Sequence, residues 1–112
     1  MPFIQINTSS KSLVDGDLLQ KEISKLVADL TGKSENYVMT LIQSDSKMTF
    51  AGNNDPCCFV KLKSIGSLTP ALMSESICKL ISSRTNIKPD RVYIEFSDIE
   101  GSNWGFNGTT FG

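Results

Sequence analysis

The sequence offers few residues for acid–base chemistry, and the most unusual of them is a proline at position 2. The 112-residue chain contains no histidine, which excludes Ser–His and Cys–His nucleophilic schemes and most zinc sites. Acid–base chemistry would need a carboxylate, a lysine, a tyrosine, a cysteine or the α-amino group. Pro2 precedes a predicted strand over 3–7, where proline supplies no N–H donor. Packing does not require a proline there, so Pro2 is either a strand-leading residue or a functional group.

Composition and charge exclude several classes of protein. Cys57, Cys58 and Cys78 form no disulfide framework, which favours a reducing, cytoplasmic compartment. The sequence has no run of 18 apolar residues and no signal-peptide pattern, so we expect neither a transmembrane helix nor classical secretion; export by another route is left open. Net charge is −1, with 11 basic and 12 acidic residues and no block of one sign. This balance predicts no nucleic-acid or membrane partner.

The sequence contains an internal repeat. A shift that places Pro2 on Pro56 superimposes the two halves without a gap over roughly 45 positions. We therefore predict one domain over 1–112, built from pseudo-repeats 2–55 and 56–112.

Each half has the pattern strand, helix, strand. Apolar residues at helical spacing predict a helix over 15–30, which Asp15 or Gly16 could cap and which Gly32 could end. Pro70 suits the first turn of the second helix. The predicted fold is α+β: a four-stranded mixed sheet with two helices on one face and a short C-terminal strand. The remaining predicted elements are strands over 37–44, 58–65 and 92–97 and a helix over 70–84.

The sheet face without helices also needs an explanation. Because the strands are rich in apolar residues, we expect both sheet faces to be apolar, and a bare apolar face must find a partner. Oligomerisation is the simplest solution. The Gly-, Asn- and aromatic-rich tail GSNWGFNGTTFG could cross onto a neighbouring subunit as an extra strand.

Several stretches together resemble the tautomerase superfamily, and most closely the macrophage migration inhibitory factor and D-dopachrome tautomerase family. The resemblance implies a homotrimer with sites between subunits, no cofactor, and keto–enol tautomerisation of a small arylpyruvate such as phenylpyruvate. It also implies that Pro2, freed by removal of Met1, is the general base. The stretches that carry it span nearly the whole chain: PFIQINT, TGKSENYV, FAGNNDPC, KLKSIG, PDRVYIEFSD and NWGFNGTTF.

The same resemblance implies roles for other residues. Lys33 matches the family's carboxylate-binding lysine, whose charge would also lower the pKa of the Pro2 amine. Without the resemblance, Lys33 would be interpreted as an exposed lysine at a helix end. Ser64 and Ile65 match a pair whose backbone lies beside the substrate carboxylate, with the Ile65 N–H as donor. Tyr93 matches a tyrosine that reaches in from the adjacent subunit, although a core tyrosine is the alternative.

Glu95 departs from the family pattern, which has asparagine there in the mammalian cytokine. A carboxylate near the proline amine would raise the pKa of that amine, or serve as a second acid–base group in a hydratase-like reaction. The alternative is a solvated strand carboxylate. The remaining predicted pocket residues are Phe3, Met39, Trp104, Phe106 and Phe111.

Two further alternatives concern function. Cys57 matches the first cysteine of the cytokine's CxxC segment, but the second position is Val60, so we expect no thiol-oxidoreductase activity. The chain could also be a cytokine-like binding trimer in which catalysis is vestigial.

Overall fold

The computed structural model describes residues 1–11 and 16–112. Three short 3-10 turns join or extend the main elements: Glu35–Tyr37, Pro89–Arg91 and Gly101–Asn103. The strands are β1 (Phe3–Thr8), β2 (Met39–Gln43), β3 (Cys58–Ser64), β4 (Val92–Asp98), β5 (Gly105–Phe106) and β6 (Thr109–Thr110), and the helices are α1 (Gly16–Thr31) and α2 (Pro70–Arg84).

The main sheet has the strand order β2-β1-β3-β4. Strands β1 and β2 are parallel and are joined through α1, and β3 and β4 are parallel and are joined through α2. The two halves meet where β1 and β3 pair antiparallel. A four-stranded mixed sheet with two helices on one face was predicted from the sequence, and the structure confirms it.

The core lies between the sheet and the two helices. Ile23 of α1 and Ile77 of α2 are fully buried against inward-facing residues such as Val60 and Leu62. Burial of one such side chain contributes about 1.5–3 kcal/mol relative to leaving it exposed. The helices therefore hold the sheet through a continuous apolar layer.

The expectation that the strands are apolar on both faces is wrong. Successive strand residues point to opposite faces, and the alternation places Ile4, Ile6, Val60, Leu62, Val92, Ile94 and Phe96 against the helices. The face that the helices leave open mixes apolar and polar side chains. Those on its three longest strands are Phe3, Gln5, Asn7, Phe59, Lys61, Lys63, Tyr93, Glu95 and Ser97.

Most predicted element boundaries hold. Helix α2 has the predicted bounds, with Pro70 in its first turn, and Gly32 follows α1 with φ +67°. Asp15, one of the two proposed caps, lies outside the described residues. Strand β2 begins at Met39 rather than at 37, because the backbone before it forms a 3-10 turn capped by the Ser34 side chain.

The tail forms a small hairpin of its own. The Asn107–Gly108 pair has positive φ at both residues, the geometry of a tight two-residue turn, and it joins β5 to β6. A short C-terminal strand was expected, and two are present; crossing of the tail onto a neighbour remains a prediction. Within 1–11 and 16–112, no helix is long and apolar enough to span a bilayer.

Candidate active site

A cavity of about 580 Å³ opens at the start of β1. It is formed by the edge of the sheet, the segment that precedes β2, and the tail. Six of the eleven residues predicted for the site line it: Pro2, Phe3, Met39, Trp104, Phe106 and Phe111.

The sheet supplies the floor of this cavity. Phe3 lies between Met39 of β2 and Lys63 of β3 in the sheet register, and all three line the cavity. Pro2 is buried directly before this row, and its carbonyl accepts a hydrogen bond of 3.1 Å from the Met39 N–H. The first residues of β1 are thereby fixed against two neighbouring strands.

The tail supplies an aromatic wall. The Phe111 N–H donates to the carbonyls of Gly101 and Trp104 at 3.1 and 3.2 Å, which returns the chain to the cavity after the hairpin. The rings of Phe106 and Phe111 stack at 5.3 Å. A side chain at Gly101 would place its Cβ 3.2 Å from the Phe111 backbone, which would have to move by a few tenths of an ångström, so glycine favours this close approach.

Tyr37 completes the aromatic cluster and was not predicted as a site residue. Its ring meets Phe106 edge-on at 5.6 Å and Phe111 at 6.5 Å. We assigned Tyr37 to a strand because its neighbours are apolar, whereas the 3-10 turn after Ser34 directs it to the cavity. The sequence signal was Ser34 itself, a residue type that commonly caps a helical turn. The other lining residues that were not predicted are Met1, Asn36, Val38, Lys63, Ile99, Asn103 and Gly105.

Lys33 lies near the amino terminus without lining the cavity. The Thr31 hydroxyl donates to the Val27 carbonyl at 2.7 Å and accepts from the Lys33 N–H at 3.4 Å, which holds the backbone as it leaves α1. Partial burial lowers the pKa of the Met1 amine below its ordinary value, and the positive charge of Lys33 lowers that pKa further. An amine at this end of β1 therefore loses its proton more readily than one in water.

Ser64 and Ile65 lie at the end of β3 beside the cavity, but neither lines it. The Ser64 side chain is buried on the helix-facing side of the sheet, and its hydroxyl finds no hydrogen-bond partner among the residues that the structure describes. Its carbonyl accepts a 2.9 Å bond from Ile99, which does line the cavity. Ile65 is half-buried and directly follows the strand.

Tyr93 and Glu95 lie on the open sheet face, away from the cavity of their own chain. The register pairs Tyr93 with Phe59, whereas the cavity contains Lys63. These two positions of β3 are four residues apart, or about 13 Å. Tyr93 is 61% exposed, and Glu95 is exposed opposite Lys61.

Arg91 organises the surroundings of Tyr93. Its guanidinium donates to the carbonyls of Pro56, Asp55 and Phe50 at 3.0, 3.0 and 3.2 Å, and it lies 5.2 Å from the centre of the Phe50 ring. The Phe50 ring lies 4.8 Å from the Tyr93 ring. One side chain thus fixes the 50–56 loop and the aromatic neighbour of Tyr93.

Metal ligands and carboxylates do not cluster near the cavity. In the described part of the chain, no three His, Cys, Asp or Glu side chains are placed to hold a metal ion. None of the described residues that line the cavity is acidic. The cavity therefore combines aromatic walls, a buried proline and positive charge, which suits a small aromatic anion.

Comparison with known proteins gives a consistent result along the whole chain. The family model described as "Macrophage migration inhibitory factor (MIF)" matches residues 1–112. The chain is 40% identical to macrophage migration inhibitory factor of Mus musculus over 116 aligned positions, covering 99% of each protein. It is 38% identical to the homolog from Brugia malayi, covering all of both proteins.

Solved structures agree with the sequence comparison. The macrophage migration inhibitory factor homologue from Prochlorococcus marinus superimposes with a TM-score of 0.93 at 42% identity, covering 98% of this chain and 99% of that one. The protein from Trichinella spiralis superimposes with a TM-score of 0.91 at 31% identity, covering 97% and 99%.

Proposed function

The chain belongs to the macrophage migration inhibitory factor family, and from this premise we propose that it is a cofactor-independent keto–enol tautomerase of phenylpyruvate type. Its general acid–base group is the nitrogen of Pro2 after removal of Met1. The observation that carries the proposal is the position of Pro2, which is buried at the floor of an aromatic cavity. At the same place, burial and Lys33 lower the pKa of the Met1 amine.

The reaction needs one group that takes and returns a proton. The unprotonated Pro2 nitrogen takes a proton from the carbon next to the substrate carbonyl. The electron pair of that C–H bond forms the C=C bond of the enol, and the carbonyl π pair moves onto oxygen. The oxygen then receives a proton, so the overall change is a proton shift without oxidation. A base poised near neutral pH is suited to both directions.

The surrounding residues bind and orient the substrate. The Lys33 ammonium and the Ile65 N–H hold the substrate carboxylate, and the backbone at Ser64 lies beside it. The aryl ring packs against Phe106 and Phe111, with Phe3, Met39 and Trp104 as further walls. Ring contacts of this kind contribute about 0.5–1.5 kcal/mol of free energy in addition to that gained from burying apolar area.

Tyr93 and Glu95 enter this proposal through a homotrimer. They are remote from Pro2 within one chain, so their roles require a neighbouring subunit that places them at its partner's cavity. The Tyr93 hydroxyl and ring contact the substrate, and Glu95 tunes the site or its substrate choice. We place the trimer in the cytoplasm, in keeping with three free cysteines.

The test is an assay of phenylpyruvate interconversion with protein whose amino terminus is verified by intact mass. Insertion of alanine between Met1 and Pro2 leaves an Ala–Pro end after processing, in which the Pro2 nitrogen is an amide and no longer a base. We expect the insertion to lower kcat/KM by at least about 100-fold, the range of general acid–base catalysis. Pro2→Ala keeps a primary amine, so its loss should be smaller.

Pro56→Ala is the matched control, because Pro56 leads the second half as Pro2 leads the first and does not line the cavity. It should retain activity. Inactivity of correctly processed parent protein would contradict the proposal. It would favour hydration of an unsaturated acid with Glu95 as the second group, or a cytokine-like binding role.

A further inference from the structure

Lys63 gives the cavity a cation that the proposed mechanism does not use. It lies directly opposite Phe3 across the β1–β3 pair, one position from Pro2, and its side chain lines the cavity. Directly opposed residues of an antiparallel pair have Cβ atoms about 5 Å apart. Lys63 and Pro2 therefore line the same cavity and lie one strand position apart.

Within one chain, no acidic side chain among the described residues forms an ion pair with this ammonium. Among residues 1–11 and 16–112, the one ion pair within 4 Å joins Arg84 to Glu22 on the helices. The neighbour of Lys63 on β4 is Ser97, and Glu95 lies opposite Lys61 instead. Asp98, the last residue of β4, accepts a hydrogen bond from the Gly66 N–H at 2.9 Å.

Apart from the terminal amine, the other polar groups that line the cavity are neutral side chains. Asn36 and Asn103 contribute amides, which can donate to an anionic group but carry no charge. Lys33 lies at the amino terminus, outside the lining. In the proposed function Lys33 takes the substrate carboxylate, so Lys63, which lines the cavity, is the lysine left to bind a second anionic group.

We propose that the cavity selects an aromatic acid with a second carboxylate or an equivalent anionic group, and that Lys63 binds this second group. The inference rests on the proposed function, in which Lys33 binds the first carboxylate. It names the substrate class of the same site: an enolisable 2-oxo acid whose aryl ring carries another anion. A charge-assisted hydrogen bond from the ammonium would supply the preference.

Binding can be measured without catalysis, because Trp104 is the single tryptophan of the chain and lines the cavity. We would titrate its fluorescence with phenylacetate and with benzene-1,4-diacetate, which share a ring but have one and two carboxylates. Neither has a ketone, so neither is turned over. The parent protein should bind the diacid about tenfold more tightly than the monoacid.

Lys63→Gln should abolish this tenfold ratio, and Lys63→Glu should reverse it. Lys61→Gln is the matched control, since it removes the same charge from the same strand and face two residues away, outside the cavity. It should keep the ratio. Thermal unfolding of each variant verifies that the fold is intact.

Two results would overturn the inference. A ratio near one in the parent would mean that Lys63 is neutralised, for example by Glu95 of a neighbouring subunit in the trimer. An equal loss of the ratio in the Lys61 and Lys63 variants would show a general charge effect. Failure of the proposed function is distinguishable, because it appears as absent phenylpyruvate turnover while the fluorescence titration still reports binding.

Discussion

The rings of Phe50 and Tyr93 lie 4.8 Å apart at a tilt of 59°, on the open sheet face far from the Pro2 of the same chain. Tyr93 is otherwise largely exposed, so Phe50 is a main constraint on its orientation. If Tyr93 completes a neighbour's site, Phe50 acts as its positioning residue.

Replacing Phe50 should weaken substrate binding without changing the Pro2 nitrogen that acts as the base. We expect Phe50→Ala to raise KM for phenylpyruvate about 3- to 10-fold, the equivalent of one aromatic pair, and to leave the pH dependence of the rate in place. Phe50→Leu, which keeps apolar volume but removes the ring, separates stacking from packing. An unchanged KM in Phe50→Ala, with an intact trimer, would mean that the ring does not position Tyr93.

Arg91 should matter to stability more than an ordinary surface cation. Its guanidinium donates to three backbone carbonyls of the 50–56 loop, and lysine cannot reproduce that fork. We expect Arg91→Lys to lower the free energy of unfolding by about 1.5–3 kcal/mol in urea denaturation. The control is Lys88→Arg, the reverse exchange three residues earlier, which should change the free energy of unfolding little. A loss as large as that of Arg91→Lys would contradict a specific role for the guanidinium hydrogen bonds.

Lys33 should set the pH range of activity. Burial, and then the charge of Lys33, lower the pKa of the Met1 amine. We expect the same two causes to act on the Pro2 amine after Met1 is removed, so that its basic form persists to lower pH than that of a free amine. In Lys33→Gln the pKa should rise, and the acid limb of kcat/KM should move to higher pH, with a larger loss of activity at pH 6 than at pH 9. Lys79→Gln on α2 is the control. An acid limb that does not move would show that Lys33 acts only on the substrate.

The buried hydroxyls of Ser64 and Thr8 should respond in opposite ways to removal. The Ser64 hydroxyl has no hydrogen-bond partner within the described ranges 1–11 and 16–112. The Thr8 hydroxyl donates to the Cys57 carbonyl at 2.9 Å and accepts from the Ser10 N–H. We expect Ser64→Ala to leave the free energy of unfolding unchanged or raise it slightly. Thr8→Val should lower it by about 1–3 kcal/mol. Equal losses would mean that Ser64 has a partner, such as a bound water.

The cysteines should react in a fixed order. Cys57 and Cys58 are buried, and burial, followed by the neighbouring thiols, raises the pKa of Cys58 to about 12. Cys78 is partly exposed. Native protein should therefore label with a thiol reagent at Cys78 first, and denatured protein at all three. Because folding favours the protonated Cys58 thiol, its contribution to stability should be lost as pH rises from about 9 towards 12. Rapid native labelling of Cys57 would contradict this account.

The sequence predicted the fold well because its strongest signals are local. The helix over 70–84 followed from Pro70 and a periodic apolar stripe, and the structure has the same bounds. The composition of the open sheet face was wrong because the apolar residues of each strand were counted without assigning them to faces. Alternation puts Ile4 and Ile6 on one side and Gln5 on the other.

The site was only partly predictable, since it depends on contacts between distant segments. Phe106 and Phe111 were expected in the pocket, but the edge-on contact with Tyr37 depends on a turn at 35–37 that apolar periodicity concealed. Lys63 was missed because a lysine on a strand looks like an ordinary solvent-facing residue. Its proximity to Pro2 follows from the register of β1 and β3, which sequence alone did not specify.

The most direct test of the central claim is the pKa of the Pro2 nitrogen itself. The chain has four prolines, and only an amino-terminal proline has a nitrogen that can titrate, so a 15N-proline-labelled sample should show one nitrogen whose NMR shift moves with pH. The account predicts that this pKa lies below the ordinary α-amino value of about 8 and equals the pKa on the acid limb of kcat/KM for phenylpyruvate. A proline nitrogen that does not titrate, or a kinetic pKa that differs from it, would contradict Pro2 as the base.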